Sequence, residues 1–187
     1  MIVISALGVA AASLRYLAGV DMVPPPLRLN FIDHPLMFWT HIICGGVALA
    51  VGPWQFLQGL RRRARSIHKA FGVLYVTACV AGGLAALTIA PSSSGGLTSA
   101  IGFSALACLW IGSTLAAVLA ILRGDAASHG RWMRVSFSLT FAGVTLRLLL
   151  PLALIDPTRF SEVYAAIAWL CWVPNLFFAQ ALNRRIA

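Results

Sequence analysis

The sequence predicts an all-α integral membrane protein, a bundle of six transmembrane helices with both termini in the cytoplasm. Composition indicates the class: of 187 residues, 60% are hydrophobic and 10% are charged, and the mean hydropathy is +0.87. A soluble domain is about 45–50% apolar and about 25% charged. The composition therefore excludes a soluble enzyme domain, a disordered chain and a disulfide-rich secreted module, and it leaves a protein whose exterior faces lipid.

The individual spans are apolar segments of about 20 residues that lie between clusters of polar residues, Pro and Gly. We predict a single domain over residues 1–187, with spans at 2–20, 36–57, 70–90, 98–122, 135–155 and 163–182. The first span is the least regular, because Arg15 lies within it. We expect the long Arg15 side chain to reach the outer interface.

The Lys and Arg residues indicate the orientation, because cytoplasmic loops of membrane proteins are enriched in them. Ten of the 14 fall on one side, in the connections between spans 2 and 3 and between spans 4 and 5, and in the C-terminal tail. Both termini are therefore expected in the cytoplasm. The net charge of +9 is then a topology signal with membrane lipids as partners, and nucleic acid is not expected.

The outer connection 21–35 contains two local signals. Pro24, Pro25 and Pro26 favour a stiff extended stretch. Further along, Asp33 is predicted to cap the second span, with Pro35 in the first turn of that helix.

Two histidines stand at the cytoplasmic starts of spans, His68 before span 3 and His129 before span 5. Neutral imidazoles from two helices ligate a haem iron axially or share a softer metal, so this pair is a candidate site for haem b. Arg131 and Arg134 lie close to His129 in the sequence and are suited to pair with haem propionates. The alternative is that both histidines cap helices or contact lipid headgroups at the interface.

A third histidine, His41, lies in the outer half of span 2. Buried there, it needs a metal, a carboxylate or a backbone carbonyl as a partner. Gly45 and Gly46 follow it, and they would allow another helix or a flat cofactor to approach closely.

The most costly residue to bury is Arg147 in span 5, because a charged side chain in a bilayer needs compensation. A buried anion, such as a substrate carboxylate or a haem propionate, is one partner for it. A structural salt bridge to Asp156, Glu162 or Asp33 is the other.

Span 6 contains Pro174 followed by Asn175. The proline is expected to kink the helix and to free a backbone carbonyl. Asn175 is then predicted to satisfy freed backbone groups or to line a cavity. Gln180 completes the polar residues expected inside the spans.

Several ordered motifs resemble a widespread bacterial family of small multi-pass membrane proteins of unknown function. They lie between Phe38 and Gln180, at His41–Leu49, Gly52–Phe56, His68–Tyr75, His129–Arg134, Val144–Leu148 and Trp172–Asn175. The resemblance implies a compact helical membrane domain and supplies no activity. It implies a polar signature made of His41, His68, His129, Arg147 and Asn175.

The chain also resembles, more loosely, the six-helix cytochromes b, which hold haem between histidines of neighbouring helices. Those proteins often place two histidines on one helix at opposite membrane depths, and here no predicted span carries such a pair. The resemblance therefore implies a single haem at the cytoplasmic side.

Three functions follow as hypotheses. The first is a b-type haem protein for electron transfer, with a quinone or redox protein as partner and with His41 and Arg147 lining a second, outer site. The second is a small transporter or an assembly subunit that handles a metal or small anion through the same two residues. The third is a structural subunit of a larger membrane complex.

Overall fold

The computed structural model describes residues 2–13 and 19–186, and within these ranges it is helical, with no strand. Short 3-10 turns join the longer helices at Val20–Met22, Pro25–Leu27, Gly52–Phe56, Ala90–Ser92 and Pro157–Arg159. In the same ranges the α-helices are α1 (Ile2–Ser13), α2 (Arg28–Asp33), α3 (Pro35–Val51), α4 (Gln58–Arg63), α5 (Arg65–Ile89), α6 (Gly96–Leu122), α7 (Ala126–Thr140), α8 (Ala142–Leu154), α9 (Phe160–Leu170) and α10 (Val173–Ile186).

Membrane-spanning helices dominate the described chain. Five stretches are long and apolar enough to cross a bilayer, namely Pro35–Phe56, Arg65–Ser92, Gly96–Leu122, Ala126–Leu154 and Pro157–Ile186. The described part of the predicted first span, α1, has 12 residues, or about 18 Å of helix, and packs against α3 and α8. Arg15 lies outside the described residues. The structure thus confirms a helical membrane bundle with five candidate spans, and the sixth span stays a prediction.

Two spans begin earlier than the hydropathy pattern predicts. Helix α5 starts at Arg65 and α7 starts at Ala126, where the carboxylate of Asp125 accepts a hydrogen bond from the Ser128 amide at 2.9 Å. The side-chain cap extends α7, and helix-forming polar residues extend α5, beyond the apolar core of each helix. As a result, His68 and His129 lie within the first turns of these helices and not ahead of them.

The connection before α3 differs from the prediction. Pro25 begins a 3-10 turn in place of an extended stretch, and the amide of Leu27 donates to the carbonyl of Pro24 at 2.9 Å. The fixed φ of proline suits the first residue of a helical turn as well as an extended chain. Asp33 is not the cap of α3, because α2 extends to Asp33 and His34 occupies the cap position.

Glycines of α5 let this helix pack tightly between α3 and α6. A Cβ atom at Gly82 would lie 3.0 Å from the Cβ of Cys44, and one at Gly83 would lie 2.5 Å from Cγ1 of Ile111. A side chain at Gly83 therefore does not fit without a shift of Ile111 or of α6. This close approach by small residues is how membrane helices gain packing contacts without a hydrophobic driving force.

A cluster of hydroxyl groups joins α5, α6 and α7 in the interior. The Tyr75 hydroxyl lies 2.9 Å from Oγ of Ser136 and 2.8 Å from Oγ1 of Thr140. The Trp110 indole donates to the same Thr140 oxygen at 2.8 Å, and Thr114 joins Ser136 at 2.7 Å. Because Thr114 and Thr140 also donate to backbone carbonyls, every donor in the cluster has an acceptor. The cluster is a satisfied packing network.

Candidate functional site

One cavity of about 230 Å³ lies between α3, α5, α6, α8 and α9, and we call it the apolar cavity. Most of its lining is aliphatic and aromatic, from residues such as Leu49, Phe103, Leu106, Leu146 and Leu150. A few polar side chains also face it. They are His41, Ser93, Trp110, Thr140, Tyr164 and Arg147.

His41 lines this cavity with one of its ring nitrogens already hydrogen-bonded. Its Nδ1 lies 3.0 Å from the carbonyl oxygen of Gly82, which can only accept a hydrogen bond. The hydrogen of the neutral ring therefore sits on Nδ1, and Nε2 carries the lone pair. Of the partners predicted for His41, the structure provides the backbone carbonyl, and it leaves Nε2 as an acceptor.

Arg147 lines the same cavity from α8. Its Nη1 donates to the carbonyl of Gly143 at 2.9 Å, one turn back along the helix. Two of the acids expected to neutralise it have other partners: Glu162 pairs with Arg159 at 3.3 Å, and Asp156 accepts from Thr158. The structure thus brings together the two outer residues, His41 and Arg147, from helices far apart in the sequence.

Open space surrounds the two glycines predicted to permit a close approach. Gly45 and Gly46 line the apolar cavity, and a Cβ atom built on either would meet nothing within 4 Å. Of the two alternatives predicted here, no described helix approaches these glycines closely, and the flat cofactor stays a prediction; tight packing occurs at Gly82 and Gly83 instead. Ser93 adds a buried hydroxyl without a hydrogen-bond partner to the same cavity.

A second opening of about 350 Å³ lies at the end of the bundle where the basic segments meet, and we call it the basic opening. Both predicted histidines line it, His68 from α5 and His129 from α7. Nδ1 of His129 donates to the carbonyl of Ala117 at 2.8 Å, which leaves Nε2 as an acceptor. Nδ1 of His68 is buried and has no hydrogen-bond partner.

The two arginines predicted beside these histidines have different positions. Arg134 lines the basic opening, and its Nε donates to Oδ1 of Asn183 on α10. Arg131 is exposed and donates to Oγ of Ser128 at 2.7 Å, next to the cap of α7. Only Arg134 of the pair therefore lines the opening. Arg61 and Gln58 add further polar groups to its lining.

Sequence reasoning missed Gln55 as a site residue. Its side chain is 8% exposed, its Nε2 is buried without a partner, and it lines the basic opening. A signal was present, because an amide side chain between Trp54 and Phe56 at the end of an apolar span needs a polar partner.

Asn175 is part of the helix packing. Its Nδ2 donates to Oγ1 of Thr145 and to the carbonyl of Cys171, each at 3.0 Å. The helix is interrupted between α9 and α10, directly before Pro174, as the proline predicts. Gln180 lies exposed on α10 and not in the interior.

Two acids outside the spans serve as caps. The hydroxyl and amide of Ser128 hold the pKa of Asp125 below its ordinary value, and those of Thr158 do the same for Asp156. Neither acid lines the cavity or the opening. Within the described ranges, moreover, His, Cys, Asp and Glu form no group of three or more placed to hold a metal.

A helical bundle with membrane-spanning segments and two clusters of polar side chains defines an integral membrane protein. The chain belongs to the predicted membrane protein family DUF2306, whose model matches residues 38–183 and whose function is unknown. No curated protein and no solved structure matches the chain. The looser likeness to cytochromes b is not supported by these comparisons.

Proposed function

We propose that the protein binds a small organic acid in the apolar cavity and carries it into or across a bacterial inner membrane. The observation behind this proposal is that His41 and Arg147 face one largely apolar chamber. A volume of about 230 Å³ limits the ligand to a small molecule, since pockets for drug-sized ligands are about 300–1,000 Å³.

The two side chains favour opposite kinds of ligand group. The Arg147 guanidinium has only donors, so it favours a carboxylate or another acceptor. Nε2 of His41 is an acceptor, so it favours an O–H group. A hydroxy acid satisfies both residues, and a reduced quinone, with its hydroxyl and acceptor oxygens, satisfies the same pattern. The apolar lining contributes burial of the ligand body.

The test is equilibrium binding of radiolabelled 4-hydroxybenzoate to the purified protein, with benzoate and phenol as competitors. Gly46→Leu places a side chain into the open space of the cavity and is expected to abolish binding. Gly112→Leu is the matched control, because a Cβ atom there also meets nothing within 4 Å and the site is exposed. Equal binding by both variants would overturn the proposal.

We also propose the full topology of six spans with both termini in the cytoplasm. Supporting it, His68, His129 and Ile186 line one opening, so the basic segments share one end of the bundle. Cytoplasmic loops carry such an excess of Lys and Arg. Fluorescent-reporter fusions at the two termini test it: fluorescence from both is expected, and a dark N-terminal fusion beside a bright C-terminal one would indicate five spans.

Haem b at His68 and His129, with a quinone or redox protein as partner, is the second candidate. Its support is that both imidazoles line one opening and that His129 offers Nε2 as a ligand. A visible spectrum after haem-supplemented expression tests it. A Soret band that is lost in His68→Ala and His129→Ala is the expected result, and a spectrum without this band would exclude haem.

A further inference from the structure

The basic opening contains two buried polar atoms without partners. They are Nε2 of Gln55 and Nδ1 of His68. Buried polar groups in folded proteins nearly always have a hydrogen-bond partner, so each exception requires an explanation. Both atoms belong to residues that line the same opening, which indicates one common partner for the two.

The local fold sets the position of the Gln55 amide. Gln55 lies in the 3-10 turn Gly52–Phe56 at the end of α3, and its side chain lies over Gly72 of α5. A Cβ atom at Gly72 would be 3.4 Å from Oε1 of Gln55, so the glycine leaves room for the amide. The amide thus lies against α5 with its NH2 group unsatisfied.

The charges around the opening are of one sign. Arg61 and Arg134 line it, and no carboxylate does so among the described residues. Asn183 orients Arg134 through the Nε atom, which leaves the terminal nitrogens of the guanidinium as donors. The opening therefore offers amide and guanidinium donors from three different segments.

We infer that the basic opening binds a phosphate-class anion at this face of the membrane. Phosphate has several strong acceptor oxygens and suits donors that converge from different directions, which a single carboxylate satisfies less completely. Haem fits less well, because a ligating histidine almost always donates its other ring N–H, and Nδ1 of His68 has no such partner. This site is separate from the apolar cavity, so the inference does not depend on the proposed organic-acid function; it is an alternative to the haem candidate in the same opening.

The phosphate can come from a lipid headgroup or from a soluble phosphate, and the experiment has one arm for each. Purified protein is titrated with inorganic phosphate and followed by thermal shift. In parallel, native mass spectrometry counts phosphatidylglycerol retained from nanodiscs that also contain phosphatidylcholine. Binding in either arm supports the inference, and the arm that responds identifies the source.

Matched variants distinguish binding at a defined site from general attraction to a basic surface. Arg61→Gln is expected to weaken binding about tenfold, as is Gln55→Met, because each removes donors to a charged group. Arg62→Gln and Gln180→Met are the controls, since both residues are exposed and neither lines the opening. Arg61 is also exposed, so its variant tests the site even where Gln55→Met does not fold.

Three results would overturn the inference. The first is no binding in either arm. The second is equal weakening by Arg61→Gln and Arg62→Gln, which would indicate unspecific attraction to a basic surface. The third is a haem band that depends on His68.

Discussion

The apolar cavity and the basic opening contain the same two residue types in different surroundings. Each has a histidine whose Nδ1 donates to a helix carbonyl, His41 to Gly82 and His129 to Ala117, and each has an arginine. In the apolar cavity these groups face aliphatic and aromatic side chains. In the basic opening they stand beside Gln55, Gln58 and a second arginine.

We propose that the surroundings, and not the His and Arg pair itself, determine the ligand class at each site. An apolar wall contributes affinity by burying a ligand body, so one donor and one acceptor are enough to orient that ligand. A polar opening at an interface contributes little burial, so affinity there has to come from several charge-assisted hydrogen bonds. We therefore assign an organic acid to the first site and a phosphate to the second.

The largest expected effect is that a substitution in one site weakens the ligand of that site and leaves the ligand of the other site unaffected. Arg147→Gln should weaken 4-hydroxybenzoate binding by about tenfold to a hundredfold and leave phosphate binding unchanged, because it removes a charged donor from the apolar cavity only. Arg61→Gln should do the reverse. Parallel titrations of both variants with both ligands check this. A variant that lowers the affinity for both ligands equally would show that they share one site.

The next largest effect distinguishes the open space beside Gly46 from the tight packing at Gly83. Gly83→Ala should destabilise the fold by about 1–3 kcal/mol, because its Cβ atom would lie 2.5 Å from Cγ1 of Ile111. Gly46→Ala should be neutral or stabilise the protein by up to about 1 kcal/mol, because its Cβ atom enters open space. Unfolding in detergent measures both variants. A destabilised Gly46→Ala variant would show that neighbouring side chains occupy the space beside Gly46 in the apolar cavity.

A smaller effect is expected at the hydroxyl cluster between the two sites. Tyr75→Phe should cost about 1 kcal/mol, the usual size for a hydrogen bond between membrane helices. Ser136 keeps Thr114, and Thr140 keeps Trp110, as partners in this variant. Unfolding measurements give the cost, and ligand titrations should show both affinities unchanged. A shift in either affinity would mean that the cluster couples the sites.

The smallest effect concerns pH and the cap of α7. Hydrogen bonds from Ser128 lower the pKa of Asp125 in the folded protein, so its contribution to stability is complete above the ordinary value of 3.8. That contribution is lost as the pH falls through the lower, folded-state pKa. The difference in melting temperature between the wild type and Asp125→Ala should therefore be constant from about pH 5 to 8 and shrink below 3.8. A difference that grows on acidification would contradict this assignment.

The fold class could be predicted from the sequence because apolar length and charge distribution are summed over many residues. The charge distribution also predicted that His68 and His129 lie close together, because the topology places the starts of both helices at one face of the membrane. For Gln55 the sequence signals that its amide needs a partner, and only the packing against α5 shows that Nε2 has none within the described residues. Asp33 failed as a cap because a local signal does not reveal that α2 extends to it.

The hydroxyl cluster escaped prediction for a different reason. Ser and Thr side chains in helices commonly bond to their own backbone, so Ser136 and Thr140 look self-sufficient in the sequence. The hydrogen bonds of Ser136 with Thr114 and of Thr140 with Tyr75 appear only once the helices pack. The two glycine pairs show the same limit, because Gly45 and Gly46 resemble Gly82 and Gly83 in sequence and differ only in their neighbours.

The bond from His41 to the Gly82 carbonyl has a consequence for how a ligand proton is handled. Nδ1 carries a hydrogen in the neutral ring and also in the imidazolium, so the bond survives protonation of Nε2. Nε2 can therefore bind the hydroxyl of the proposed ligand without any turn of the ring. If the protein carries this ligand as we propose, His41 stays in place and the motion comes from the helices around it.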